Sequence, residues 1–134
     1  MNILLDTHIA IWAINDDRRL TKEARDILSD PLNKLYYSAV SVVEVDLKIK
    51  GRKNNIDFTT EEFVEKCEES GFIPYPLKGT HIVKANQLKW RGSIPEHRDP
   101  FDRVILAQSM DEGFKLMTHD NKMNMFEQDC VILV

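Results

Sequence analysis

Cysteine is scarce in this chain. Cys67 and Cys130 are the only two, too few for the disulfide framework of a small secreted scaffold, so a reducing cytoplasm is the expected compartment. No apolar run reaches the roughly 18 residues that a membrane-spanning helix needs, and no membrane association is expected. The apolar start, MNILLDTHIAIWAI, has no basic residue ahead of it and is interrupted by Asp6 and His8, which argues against a secretory leader. Neither G-x-G-x-x-G nor a Walker A sequence occurs, which disfavours a nucleotide-cofactor enzyme. No serine or cysteine lies in a nucleophile motif. His8, His81, His97 and His119 lack zinc-ligand spacing and are expected to be structural. Positive charge is not in excess either: 18 basic against 22 acidic residues leave −4. Any nucleic acid must therefore meet a local basic patch.

What remains is an ordinary globular composition, 43% hydrophobic and 30% charged over 134 residues. That size predicts one domain over 1–134 with a sizeable core. Asn2–Leu5 is a short apolar run ending at Asp6, expected to be a buried strand, with a helix over 8–14 capped by Asp6 or Thr7. Thr21 caps a second amphipathic helix that stops at Asp30-Pro31. KLYYSA (34–39) is strand-prone. Ser41 and Glu44 have capping-box spacing, which predicts a helix over about 42–50. Thr59 and Glu62 form a second such box, with Phe58 and Phe63 as a hydrophobic staple and Gly71 as the stop. Residues 72–75 form a short, proline-limited edge strand, followed by a helix over about 80–88. Asp99-Pro100 opens another helix that Gly113 ends. Strands at 115–118 and 131–133 flank a helical turn at 121–126. Short apolar strands alternating with helices predict an α/β fold, a central, mostly parallel sheet of about five strands between helical layers. Ligands in such folds sit beyond the carboxyl ends of the strands, where strand order reverses.

Four acids fall at that rim: Asp6 after the first strand, Glu44 in the first turn after the second, Asp102 in the first turn of the helix leading to the fourth, and Asp120 just beyond the fourth. Each also has a plain structural role open to it. Asp6 can cap a helix, Glu44 can be half of a capping box, Asp102 can complement a helix dipole, and Asp120 can close an Asx turn. Asp99 is expected to be a cap. If the acids converge without basic partners they repel, and a divalent cation relieves the conflict. Carboxylates with water suit Mg2+, with Mn2+ as substitute, and the chemistry that follows is phosphodiester hydrolysis by a metal-activated water.

At these residues the sequence resembles the PIN-domain family, specifically its VapC-like toxins. The matching segments are LLDTHIAIWAI (4–14), SVVEVDLKIKGR (41–52), HRDPFDRVILAQS (97–109) and LMTHD (116–120), in family order across nearly the whole chain. The resemblance implies a three-layer α/β/α, Mg2+-dependent endoribonuclease, the toxin of a toxin–antitoxin pair. It assigns metal binding and catalysis to Asp6, Glu44, Asp102 and Asp120. Thr7 and Thr118 match hydroxyl positions near the acids, and Asp99 is an added acid. Asp46 departs from the small or aliphatic residue usual after Glu44 and should point to another helix face. A cognate antitoxin and a homodimer are the implied protein partners, with Ile11, Trp12 and Ile14 as candidate interface residues.

Lys48, Lys50, Arg52, Lys53 and Arg98 are candidate RNA contacts, or simply solvated charge. Arg103 either meets a phosphate or pairs with an acid to orient it. Trp12 and Trp90 are expected to pack. Two other functions fit less well. A PIN-fold protein that binds RNA or a partner without cleaving it would not need the intact acid set. A phosphorylatable receiver domain would need an acid ending the third strand and a lysine ending the fifth, and neither is present.

Overall fold

The computed structural model describes residues 1–51 and 56–134. Arg52 and Lys53, two of the candidate RNA contacts, lie outside the described residues. Five strands, β1 (Asn2–Leu5), β2 (Lys34–Ser38), β3 (Ile73–Tyr75), β4 (Lys115–Thr118) and β5 (Val131–Leu133), form one parallel sheet in the order β3-β2-β1-β4-β5. The helices are α1 (Thr7–Ile14), α2 (Lys22–Ser29), α3 (Ala39–Gly51), α4 (Thr60–Glu69), α5 (Gly79–Ala85) and α6 (Pro100–Glu112). A 3-10 turn covers Asn121–Met125.

From Ile3 to Leu5 the strand β1 is apolar because both of its faces are covered there, as is usual in parallel sheets. Ile3 and Leu5 point into one core with Ile9, Ala24, Leu35, Tyr37, Phe63 and Met117, beneath α1, α2 and α4. Leu4 points into the other with Ile105, Leu106, Leu116, Met123 and Phe126, beneath α6. The helix α3 spans both, giving Val45 to the first core and Val40 to the second. The result is the expected three-layer α/β/α sandwich. Pro74 is tolerated because β3 is an edge strand.

Local signals placed most elements correctly. Thr21 accepts from the Ala24 N–H, and Thr59 with Glu62 makes a reciprocal capping box. The Phe58 and Phe63 rings stack 6.0 Å apart. Gly71 and Gly113 end their helices at φ +83° and +70°, where a Cβ would be strained. The expected Ser41–Glu44 capping box is wrong. Ser38, the last residue of β2, instead accepts from the Val40 N–H at 3.0 Å. The chain passes directly from strand to helix, α3 begins at Ala39, and Glu44 sits in its second turn.

From β1 the chain steps outward through β2 to β3, then returns through α5 and α6 to β4 on the opposite side of β1. Strand order therefore reverses between β1 and β4, which opens a crevice at their carboxyl ends. Among the described residues no helix is long and apolar enough to cross a membrane. Cys67 and Cys130 are unpaired and buried. Burial raises their thiols to about 12 and about 11, so both are unreactive packing groups.

Candidate metal centre

The crevice between β1 and β4 holds Asp6. It is the first residue beyond β1, 2% exposed, and caps α1. Its Oδ1 accepts from the Thr7 N–H at 2.8 Å, and its Oδ2 accepts from Thr118 Oγ1 at 2.6 Å. Register brings these together: Leu5 pairs with Met117, so the next residue on each strand meets at the rim. Thr118 Oγ1 also accepts from the Asp120 N–H at 3.0 Å. One buried hydroxyl thus fixes two acids. Thr7 does not touch an acid with its side chain; its Oγ1 is bonded to Ser41 Oγ at 2.8 Å, tying α1 to α3.

Three further carboxylates complete the rim. Glu44 is 4% exposed; its Oε2 lies 2.9 Å from Lys48 Nζ, while Oε1 is buried without a hydrogen-bond partner. Asp102 lies in the first turn of α6 with Oδ2 2.8 Å from His97 Nε2. Asp120 caps the 3-10 turn through Oδ1 and turns Oδ2 toward the same imidazole at 3.5 Å. Asp99 caps α6, accepting from the N–H groups of Phe101 and Asp102 through one oxygen. A cavity of about 290 Å³ is lined by Asp6, His8, Trp12, Asp102, His119 and Asp120.

Three of these acids lie near enough to act on one another through charge. Burial raises the Asp6 carboxyl above 3.8, and Glu44 adds to the rise against the bonds from Thr118 and Thr7. Burial also drives Asp102 up to about 7, assisted by the charges of Asp6, Asp99 and Glu44 and opposed by the His97 bond. The expectation that the acids meet without basic partners needs correction. Lys48, one turn on from Glu44, neutralises it, and His97 meets Asp102 and Asp120. His97 was missed by spacing rules, which seek ligand pairs on one element. The available signal was its place five residues before Asp102 across a cap-and-proline turn that folds the chain back.

The other candidates lie apart from the acids. Arg103 donates to Glu96 Oε1, His97 O and Ala85 O, at 3.1, 3.1 and 3.2 Å. It therefore orients the loop before α6, and it neither pairs with a site acid nor presents a free charge to phosphate. Lys50 pairs with Asp46 at 2.6 Å, and Thr60 of α4 donates to the same carboxylate. Asp46 thus faces away from the site, as expected. Arg98 is exposed. Trp12 is 8% exposed, so it is no free interface residue. It packs as expected, but in the wall of the acidic cavity, against His8 and His119.

The residues fit a hard divalent cation. The donor set is carboxylate oxygen, the charges of Asp6 and Glu44 help raise the Asp102 carboxyl, and Glu44 Oε1 is a buried acceptor lacking a partner among the described residues. A second His–carboxylate group, His81 with Asp111 and Glu112 at 3.6 and 3.8 Å, does not fit one. Its Nδ1 accepts the Lys78 N–H at 3.0 Å. Nε2 must then carry the ring proton, the reverse of a metal-binding imidazole, whose second nitrogen donates.

A family model described as PIN domain matches residues 3–127. A search of curated protein sequences gives no significant match. Among solved structures the chain is similar to VapBC2 from Rickettsia felis bound to a DNA fragment from their promoter, at 14% identity and a TM-score of 0.67, covering 100% of this chain and 99% of that one. It is also similar to a toxin–antitoxin complex from Klebsiella pneumoniae, at 19% identity and 0.63, covering 97% and 95%. FitAcB from Neisseria gonorrhoeae matches at 18% and 0.53, covering 90% and 89%. At these identities the structural likeness establishes the shared fold.

Proposed function

The chain belongs to the PIN domain family, and from that premise we propose that it is a Mg2+-dependent endoribonuclease, the toxin of a toxin–antitoxin pair. The observation that carries the reading is the placing of Asp6, Glu44 and Asp102 near enough that their charges help raise the buried Asp6 and Asp102 carboxyls, beside a buried Glu44 oxygen with no hydrogen-bond partner among the described residues. Asp6, Glu44, Asp102 and Asp120 are the residues that would hold the cation, Mn2+ substituting for Mg2+. When bound, it supplies charge neutralisation and Lewis acidity toward a phosphodiester.

The chain's own residues prepare the rest. Thr118 and the Thr7 N–H fix both oxygens of Asp6, which lines the cavity. Lys48 pairs with Glu44 at 2.9 Å in the cation-free chain. One acid, Glu44 or half-buried Asp120, would orient a water against the scissile phosphate and accept its proton. Lys48, Lys50, Arg52, Lys53 and Arg98 are the proposed contacts to the RNA backbone. In the neighbouring structures the printed descriptions name a promoter DNA fragment and a toxin–antitoxin complex. By analogy this chain is held by an antitoxin in the cytoplasm, and a second copy is the other proposed partner. Half-buried Ile11 and Ile14, with exposed Val43 and Leu47 on α3 and Ile82 and Val83 on α5, are proposed apolar surface for either, whereas Trp12 is buried.

Purified protein with Mg2+ should cleave single-stranded RNA, and Asp6→Asn should abolish cleavage with an unchanged circular dichroism spectrum. Equal cleavage by the variant would refute the assignment.

A further inference from the structure

One imidazole stands against the carboxylates of two of the proposed cation ligands. His97 Nε2 stands 2.8 Å from Asp102 Oδ2 and 3.5 Å from Asp120 Oδ2. Both His97 and Asp102 expose only 14% of their side chains. Two lone pairs cannot sit 2.8 Å apart without repulsion, so a proton lies between the imidazole and Asp102. The loop that carries His97 is itself anchored. Arg103, one residue beyond Asp102 on α6, holds the His97 carbonyl and the Glu96 carboxylate, and its guanidinium lies 5.3 Å from the Phe126 ring centroid. Asp99 and Pro100 begin the helix between them. The imidazole therefore does not swing freely: the same helix that presents Asp102 also fixes the group that orients it.

We infer that His97 is a positioning residue for the cation site, its ring nitrogen fixing the Asp102 carboxylate at the cavity that Asp120 also lines. This rests on the cation reading above and goes beyond it, because the four acids alone do not explain what holds the Asp102 side chain in place. The arrangement is that of an outer partner that orients a ligand, where loss of the partner weakens metal affinity about 10–100-fold.

The test is calorimetric titration of the whole chain with Mn2+, without RNA. His97→Ala should weaken Mn2+ binding about 10–100-fold, and His97→Gln, whose amide nitrogen reaches the same place, should stay within about threefold of wild type. His97→Asn, too short to reach Asp102, takes the place of Ala if Ala fails to fold. Unchanged affinity in the Ala or Asn variant overturns the inference. So does a Gln variant as weak as Ala, since the imidazole would then act as a ligand or proton carrier rather than an orienting donor. A wild-type chain that binds no Mn2+ refutes the cation reading instead. Positioning is then decided in the metal-free protein by the His97 ring N–H resonance. It should be protected from exchange in wild type and lose that protection in Asp102→Ala; rapid exchange in wild type overturns the inference.

Discussion

Replacing Asp102 with asparagine should stabilise the cation-free protein while removing a proposed cation ligand. Burial and the charges of Asp6, Asp99 and Glu44 move the Asp102 carboxyl from 3.8 to about 7. At about 1.4 kcal/mol per pH unit, keeping it ionised at pH 8 costs the fold at most about 4 kcal/mol. Water reaches the cavity and the neighbours share the repulsion, so about 2 kcal/mol is the expected gain from neutralising Asp102 alone. For a chain of this length that is roughly 7 °C in Tm. Asparagine keeps a carbonyl oxygen for the His97 contact, so packing should change little. The pH dependence has a definite sign. Between 3.8 and about 7 the folded chain holds a proton that the unfolded chain has released, so wild-type stability falls as pH rises through that window. The advantage of Asp102→Asn should be absent at pH 4, grow from pH 5 to 7, and be complete at pH 8. Urea unfolding in EDTA at these pH values measures it. A variant no more stable than wild type at pH 8, or a gap that ignores pH, would refute the electrostatic reasoning. Millimolar Mn2+ should reverse the order, because only wild type retains the full ligand set.

Three other perturbations probe different links. Lys48→Met should lower cation-free stability by about 1–3 kcal/mol, by leaving buried Glu44 unpaired, and should tighten Mn2+ binding several-fold because no ammonium must first be displaced; calorimetry and urea melts read both. Thr118→Val should cost about 1–3 kcal/mol, since Asp6 loses a buried donor and the Asp120 N–H its acceptor, and RNA cleavage should fall with it. Phe63→Ala, at a fully buried position on the inner face of α4, should cost about 3–5 kcal/mol by urea unfolding yet leave cleavage intact at temperatures where the variant stays folded.

Elements whose boundaries are set by local chemistry were legible in the sequence. Asp99-Pro100, Thr21, the Thr59–Glu62 box and Gly113 each act through a backbone group within a few residues. The Ser41–Glu44 box failed because two serines compete: Ser38, at the strand end, reaches the first free N–H and starts the helix early. Spacing alone does not decide between them. The four acids were legible as positions, and their shared rim followed from alternating strands and helices. Their partners were not. Lys48 was readable as an i,i+4 partner of Glu44, but a basic cluster draws attention to solvent rather than to an acid one turn back. His97 required knowing that the chain reverses before α6, a fact set by Arg103 reaching back across the loop. The Thr118 bond joins residues 112 positions apart, and only strand register brings it about.

A crystal soaked in Mn2+ and measured at the manganese absorption edge is the most direct test of the central claim. The account predicts an anomalous peak in the crevice between β1 and β4, within coordination distance of Asp6 and Asp102, with Glu44 swung from Lys48 toward it. No peak there, or one only at His81, Asp111 and Glu112, would contradict it.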